Sequence, residues 1–307
     1  EDLKSTEPAS LGLMRPSDTG VFGRCVRAGL LWALENLAWS PTTLPRAVLV
    51  LAKLAQIQID DNWVNKPIAS LKSIFRSWMP QTAAKLDQRI AVMRQLADRY
   101  PDIAWQICAD QFGEVHRTGD YNNKPRWRND GHGFGEPISR DEMHTFEQNM
   151  VDMALNWNKH DRATLGDLIE RLHGLNDAQQ AAVWDLVKRW AEGGANDNDK
   201  AWVREKIRVT VLSQRGAERN EKRQADDLVA AANAAYEALE PADLLNKHKW
   251  LFRQAWLEES ADEVQDMDFR KREERITKLR TEALSEILTE RGVAGILEFA
   301  EMGETAN

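Results

Sequence analysis

RAGLLWALENLAWSPTTLPRAVLVLAKLA (27–55), NWVNKPIASLKSIFRSWMPQT (62–82) and LDQRIAVMRQLADRYPDIAWQICADQF (86–112) decide the fold. Apolar residues return there at three and four positions, the spacing of one helical face. Pro41, Pro67, Pro80 and Pro101 fall where one helix should stop or the next begin. The spacing predicts helices over 21–38, 44–56, 68–78, 82–98 and 101–112. Pro67 suits the first turn of the third, where its missing N–H would be unpaired anyway, and Thr82 is placed to cap the fourth. The second, with Val48, Leu49, Val50, Leu51 and Leu54, is apolar nearly all round and belongs in the middle of a stack. Trp78 and Trp105 are expected on buried faces, where truncation to Ala would cost about 3–5 kcal/mol.

Outward from this stretch the same rhythm continues. Residues 1–20 carry Pro, Ser and Gly without periodicity and read as an irregular lead-in. Residues 21–112 form an N-terminal helical array. Residues 113–138 (GEVHRTGDYNNKPRWRNDGHGFGEPI) are rich in Gly, Asn and Pro, a long polar loop of a length that is usually functional or disordered. Ser139-Arg140-Asp141-Glu142 then matches a capping box, Ser accepting from helix N–H groups while Glu reaches back. It opens a C-terminal array over 139–307, with one helix ending near Arg291 and a short one starting at Val293. No strand pattern of convincing length occurs. The fold expected is all-α, an irregular HEAT/TPR-like solenoid of stacked antiparallel helix pairs, each burying a face it could not bury alone.

The chain has 307 residues, 42% hydrophobic and 29% charged, which is globular composition. Twelve Trp against three Tyr is unusual, and most of the Trp sit inside helical patterns as large core side chains. A formal charge of −8 argues against a general nucleic-acid binder. Cys25 and Cys108 fall among Leu, Ile and Val, as buried thiols rather than a disulfide, so a cytoplasmic setting is expected. No apolar run approaches a membrane span. The first residue is Glu1, so the chain is read as part of something longer.

Chemistry is harder to find. There is no G-x-x-x-x-G-K-[ST] and no G-x-G-x-x-G after a strand, so no cofactor is expected. The histidines form no H-E-x-x-H, and there is no C-x-x-C. His116, Asp120, Asp130 and His132 share the long loop, but loop spacing without helical register is weak evidence for a metal. Asp60-Asp61 and Asp226-Asp227 read as solvated acids. The run Arg204–Arg223 is diluted by Glu205, Glu218 and Glu221 and reads as a solvated face. The 113–138 loop carries the candidate contact residues: Arg117, Tyr121, Lys124, Arg126, Trp127 and Arg128 mix cations and aromatics, as stacking and phosphate contacts do. The competing reading has Trp127 anchoring the loop while its arginines pair with nearby acids.

Three passages, LLWALENLAWSPTTLPRAVLVLAKLA with NWVNKPIASLKSIFRSWMPQT, the KPRWR loop, and HKWLFRQAWLEES with ITKLRTEALSEILTERGVAGILEFAE, resemble the helical-repeat region of large bacterial STAND-type NTPases and related anti-phage defence proteins. The resemblance covers about residues 25–300. It implies a module that recognises a trigger, with nucleotide and effector chemistry in separate domains. The expectation is therefore a non-catalytic recognition or scaffold module that binds a protein partner or sibling domains of a longer chain. A nucleic-acid-contacting helical repeat using the basic loop, and a metal-dependent hydrolase or nuclease using its His and Asp residues, are the alternatives.

Overall fold

The computed structural model describes residues 12, 14, 26–59, 65–113, 119, 121–126, 138–213, 226–253, 257 and 269–302. Among the described residues the chain is all-α, with twelve α-helices and no strand. It divides into two compact units, Glu1–Asn156 and Trp157–Asn307.

Unit 1 holds α1 (Val26–Ala38), α2 (Leu44–Ala55), α3 (Pro67–Ile74), α4 (Leu86–Arg99), α5 (Pro101–Ala109) and α6 (Arg140–Leu155). The apolar α2 is covered by α1, α3 and α4. Its Leu44, Val48 and Leu51 are fully buried with Leu31, Leu71, Ile74 and Met93. Pro67 and Pro101 sit in the first turns of α3 and α5.

Two expectations fail between α3 and α4. Thr82 does not cap α4, which begins at Leu86 with Lys85 as its N-cap. The Thr82 hydroxyl instead donates to the Ala38 carbonyl at 2.7 Å, and Ala83 N donates to the Trp39 carbonyl at 3.0 Å, strapping this connection to the end of α1. The third helix also stops at Ile74, short of Trp78. Ser77 N turns to Gln111 Oε1 at 3.0 Å and Gln81 N to the Ser73 carbonyl at 3.0 Å, so the backbone leaves the helix for tertiary partners. Trp78 is consequently half-buried, with the Arg76 guanidinium 5.2 Å from its ring, and not in the core. Trp105 on α5 is buried as expected.

Ser139 caps α6, its hydroxyl accepting from Glu142 N at 3.1 Å. The reciprocal half of the expected box is absent because the Glu142 carboxylate takes Arg89 Nη2 of α4 at 2.5 Å. Phe146, one turn on, lies 5.0 Å from the same guanidinium. The Cys108 thiol of α5 donates to the Met150 carbonyl of α6 at 3.0 Å. Burial pushes that thiol up to about 12, so it stays protonated and inert. Cys25 lies outside the described residues. These contacts place α6 in unit 1, so the division between units falls after the 113–138 segment, at Asn156/Trp157.

Unit 2 holds α7 (Arg162–Glu170), α8 (Asp177–Glu192), α9 (Asp197–Ile207), α10 (Asp226–Ala238), α11 (Leu244–His248) and α12 (Phe269–Glu301). Side chains cap four of them: Asp161, Asn176, Asn196 and Asp243 each accept from the backbone N–H three residues on. That satisfies donors no helix can pair internally. α11 is short and passes into a 3-10 turn at Lys249–Phe252. α9 passes into a π turn, Arg208–Leu212. α12 is broken at Gly292 (φ 66, ψ −165), where the sequence places the end of one helix and the start of another. That backbone region is essentially restricted to Gly. The break lets Ile287 and Phe299, on either side of it, share one buried cluster with Leu245, and Phe252 meets Phe299 edge-on at 5.1 Å. No helix among the described residues is long and apolar enough to cross a membrane.

Candidate functional site

Of the six loop residues singled out, Tyr121, Lys124 and Arg126 lie in the described segment 121–126; Arg117, Trp127 and Arg128 lie outside the described residues. His116, Asp120, Asp130 and His132 also lie outside. Among the described residues no group of three or more His, Cys, Asp and Glu is placed to hold a metal ion.

Segment 121–126 is held against unit 1 by a carboxylate that sequence reading missed. Arg27, Leu31, Leu34, Glu35 and Ala38 are the buried positions of α1, the last four at i, i+3, i+4 and i+7, so Glu35 falls on the core stripe. A buried carboxylate has to be hydrogen-bonded. Glu35 Oε1 accepts from the Ser70 hydroxyl of α3 at 2.6 Å. Its Oε2 accepts from Asn123 N at 2.8 Å and Asn123 Nδ2 at 2.9 Å. Neighbouring bonds extend the seam: Asn122 Nδ2 donates to the Ser70 carbonyl at 3.0 Å, and the buried Trp39 donates Nε1 to the Asn123 carbonyl at 3.0 Å. Lys124 lies over the Trp39 ring at 5.3 Å. The Asn122-Asn123 pair supplies the polar groups that water would otherwise provide. A lone Glu on an apolar helix stripe was the available signal for this contact.

The docked segment forms one wall of a groove of about 580 Å³ against α1 and α3. Trp32 and Tyr121 both line it, 49% and 66% exposed. Lys66, Lys72 and Arg76 give it cationic character. Lys72 is matched by Asp110 at 2.7 Å. Arg76 lies directly on the backbone at Gly119, where an added Cβ would meet its Cζ at 2.2 Å. Only Gly permits so close an approach. The groove thus offers two large aromatics on a polar, rigidly anchored floor. Arg126 is exposed beyond it.

Glu35→Ala is expected to cost unit 1 about 2–3 kcal/mol, the scale of hydrogen bonds to a charged group. Hydrogen exchange should show the amides of 122–124 losing protection while α2 and α4 keep theirs. Unchanged protection at Asn123 would mean that Glu35 does not hold the segment.

The chain matches no protein-family model, no curated protein and no solved structure.

Proposed function

We propose that this chain is a non-catalytic recognition module, and that the groove of unit 1 binds a protein partner. The observation that carries the reading is the pairing of exposed Trp32 with exposed Tyr121 across one anchored groove. Large exposed aromatics on a rigid frame are what protein interfaces use as anchors, because they bury much area at little cost in entropy. Lys66 adds a cation with no carboxylate partner among the described residues, so the segment bound is one with an apolar side chain beside an acidic one. In this proposal the helix pairs within each unit continue an irregular helical-repeat stack. Support comes from sequential neighbours packing in unit 1 and from α7 on α9 and α8 on α10 in unit 2. The resemblance to bacterial defence proteins supplies the setting, a trigger-sensing segment of a longer protein.

The test compares Trp32→Ala and Tyr121→Ala with the parent chain as bait in lysate from infected and uninfected bacteria. A protein retained by the parent and lost from both variants, at low and high salt alike, is the expected result. Retention that collapses with salt or with nuclease would instead favour nucleic acid, since phosphate contacts release counterions. Retention unaffected by both substitutions would overturn the groove as the contact.

A further inference from the structure

Unit 2 contains a cavity of its own, unrelated to the groove above. Residues of α7, α9, α10 and α11, with the turn after α11, enclose a cavity of about 120 Å³. Five cations line it, Arg162, Arg204, Lys247, Lys249 and Arg253; Arg162 is paired with Asp199 at 3.0 Å, Lys247 with Glu286 at 3.5 Å, and Lys249 donates to Asn198 at 3.4 Å. Among the described residues the only carboxylate in the lining is Glu205, and Arg208 holds both its oxygens at 2.8 Å. In a chain whose formal charge is −8, so many cations around so small a space oppose the overall balance.

Three rings line the cavity, and each carries a guanidinium on a face, Trp202 also the Lys206 ammonium at 5.3 Å. Arg204 lies 4.0 Å from the Tyr236 ring, Arg208 4.8 Å from Trp250, and Arg162 5.9 Å from Trp202. What stacking provides is fixed guanidinium planes, with their N–H edges already oriented. Arg204 is the clearest case. Its Nε donates to the Tyr236 carbonyl at 3.0 Å, and among the described residues its terminal nitrogens have no hydrogen bond and no carboxylate within reach. Burial also pushes the Tyr236 phenol upward, so its hydroxyl remains a donor near neutral pH. The π turn at Arg208–Leu212 directly follows α9, and such turns frequently mark functional sites.

We propose that this cavity is a phosphate site, taking inorganic phosphate or the terminal phosphoryl group of a phosphomonoester, with Arg204 as its central ligand. Arginine's planar fork matches a tetrahedral oxyanion. The cavity is well below the roughly 300–1,000 Å³ of sites for drug-sized ligands, which suits a phosphoryl group and excludes a whole nucleoside.

Calorimetric titration of the full chain with inorganic phosphate tests this, with chloride at matched ionic strength as the control. Saturable binding of phosphate and none of chloride is expected. Arg204→Met should weaken it about tenfold or more, the loss of a charge-assisted hydrogen bond, and Arg204→Lys should recover part. Lys249→Met, on the rim, serves if Arg204→Met loses its helical circular dichroism; it too should weaken phosphate binding. A phosphoserine peptide should compete with free phosphate, whereas an oligonucleotide lacking terminal phosphates should not. If the peptide fails to compete, the site takes free phosphate alone. Equal binding by the oligonucleotide would overturn the terminal-phosphoryl assignment. No phosphate heat in the parent chain, or affinity unchanged in every folded variant, would overturn the site.

Discussion

Glu142→Ala is expected to destabilise unit 1 by about 3–5 kcal/mol, the cost of leaving a buried charge without its partner. The Arg89 side chain is 0% exposed, whereas that of Glu142 is 29% exposed. Burial drives the Arg89 pKa down, and the Glu142 charge and hydrogen bond are what push it back up. Its Nε and Nη1 have no hydrogen-bond partner among the described residues, so the single bond from Nη2 carries the compensation. The asymmetry of exposure gives the prediction its sharper form. Arg89→Met fills the same space with an apolar chain and leaves Glu142 where water can reach it, so it should cost much less than Glu142→Ala. Urea unfolding, with hydrogen exchange at α4 and α6 to localise the loss, checks both. A cost below about 1 kcal/mol for Glu142→Ala, the range of exposed pairs, would mean that Arg89 finds water or another acceptor.

Trp105→Ala should rank beside it, at about 3–5 kcal/mol, the usual range for emptying an aromatic site in a core. Trp105 is 5% exposed on α5, a helix packed against α3, α4 and α6, so three neighbours would have to collapse to fill the space. Trp78→Ala is the control. Half-buried, with one guanidinium on its ring, it should lose roughly 1 kcal/mol, the scale of an exposed cation–π contact. Equal losses in thermal unfolding would mean that Trp78 belongs to the core as much as Trp105 does.

Both predictions show what a single sequence carries and what it does not. Features set by nearest neighbours along the chain were legible: Pro67 and Pro101 opening helices, Ser139 capping one, Gly292 interrupting another. Each depends on backbone geometry within a turn. Thr82 was misread because its hydroxyl is claimed by a carbonyl 44 residues away. Glu142 was read as half of a capping box, yet its carboxylate answers Arg89, 53 residues earlier. Arg204 was assigned to a solvated face, and only the fold brings it together with Tyr236, Lys249 and Arg162. Local rules have no access to a polar group's distant partner. For the loop, its own composition points at Tyr121, Lys124 and Arg126, whereas the signal for the seam that holds the segment lies in α1, in Glu35 on an apolar stripe.

The Glu35–Asn123 bond has a consequence for how the chain is made. It closes a separation of 88 residues, and the Arg89–Glu142 pair closes another. On the ribosome, the first five helices of unit 1 emerge with the Arg89 guanidinium facing the core without Glu142, and with Glu35 answered by Ser70 at one oxygen while the donors for the other are still to come. Their compact packing has to wait for Asn123 and then for α6, so unit 1 matures late in its own translation, in two steps set by two polar contacts. Any truncation before residue 142 leaves an unmatched ion inside, a ready mark by which cellular quality control can distinguish an unfinished chain from a complete one.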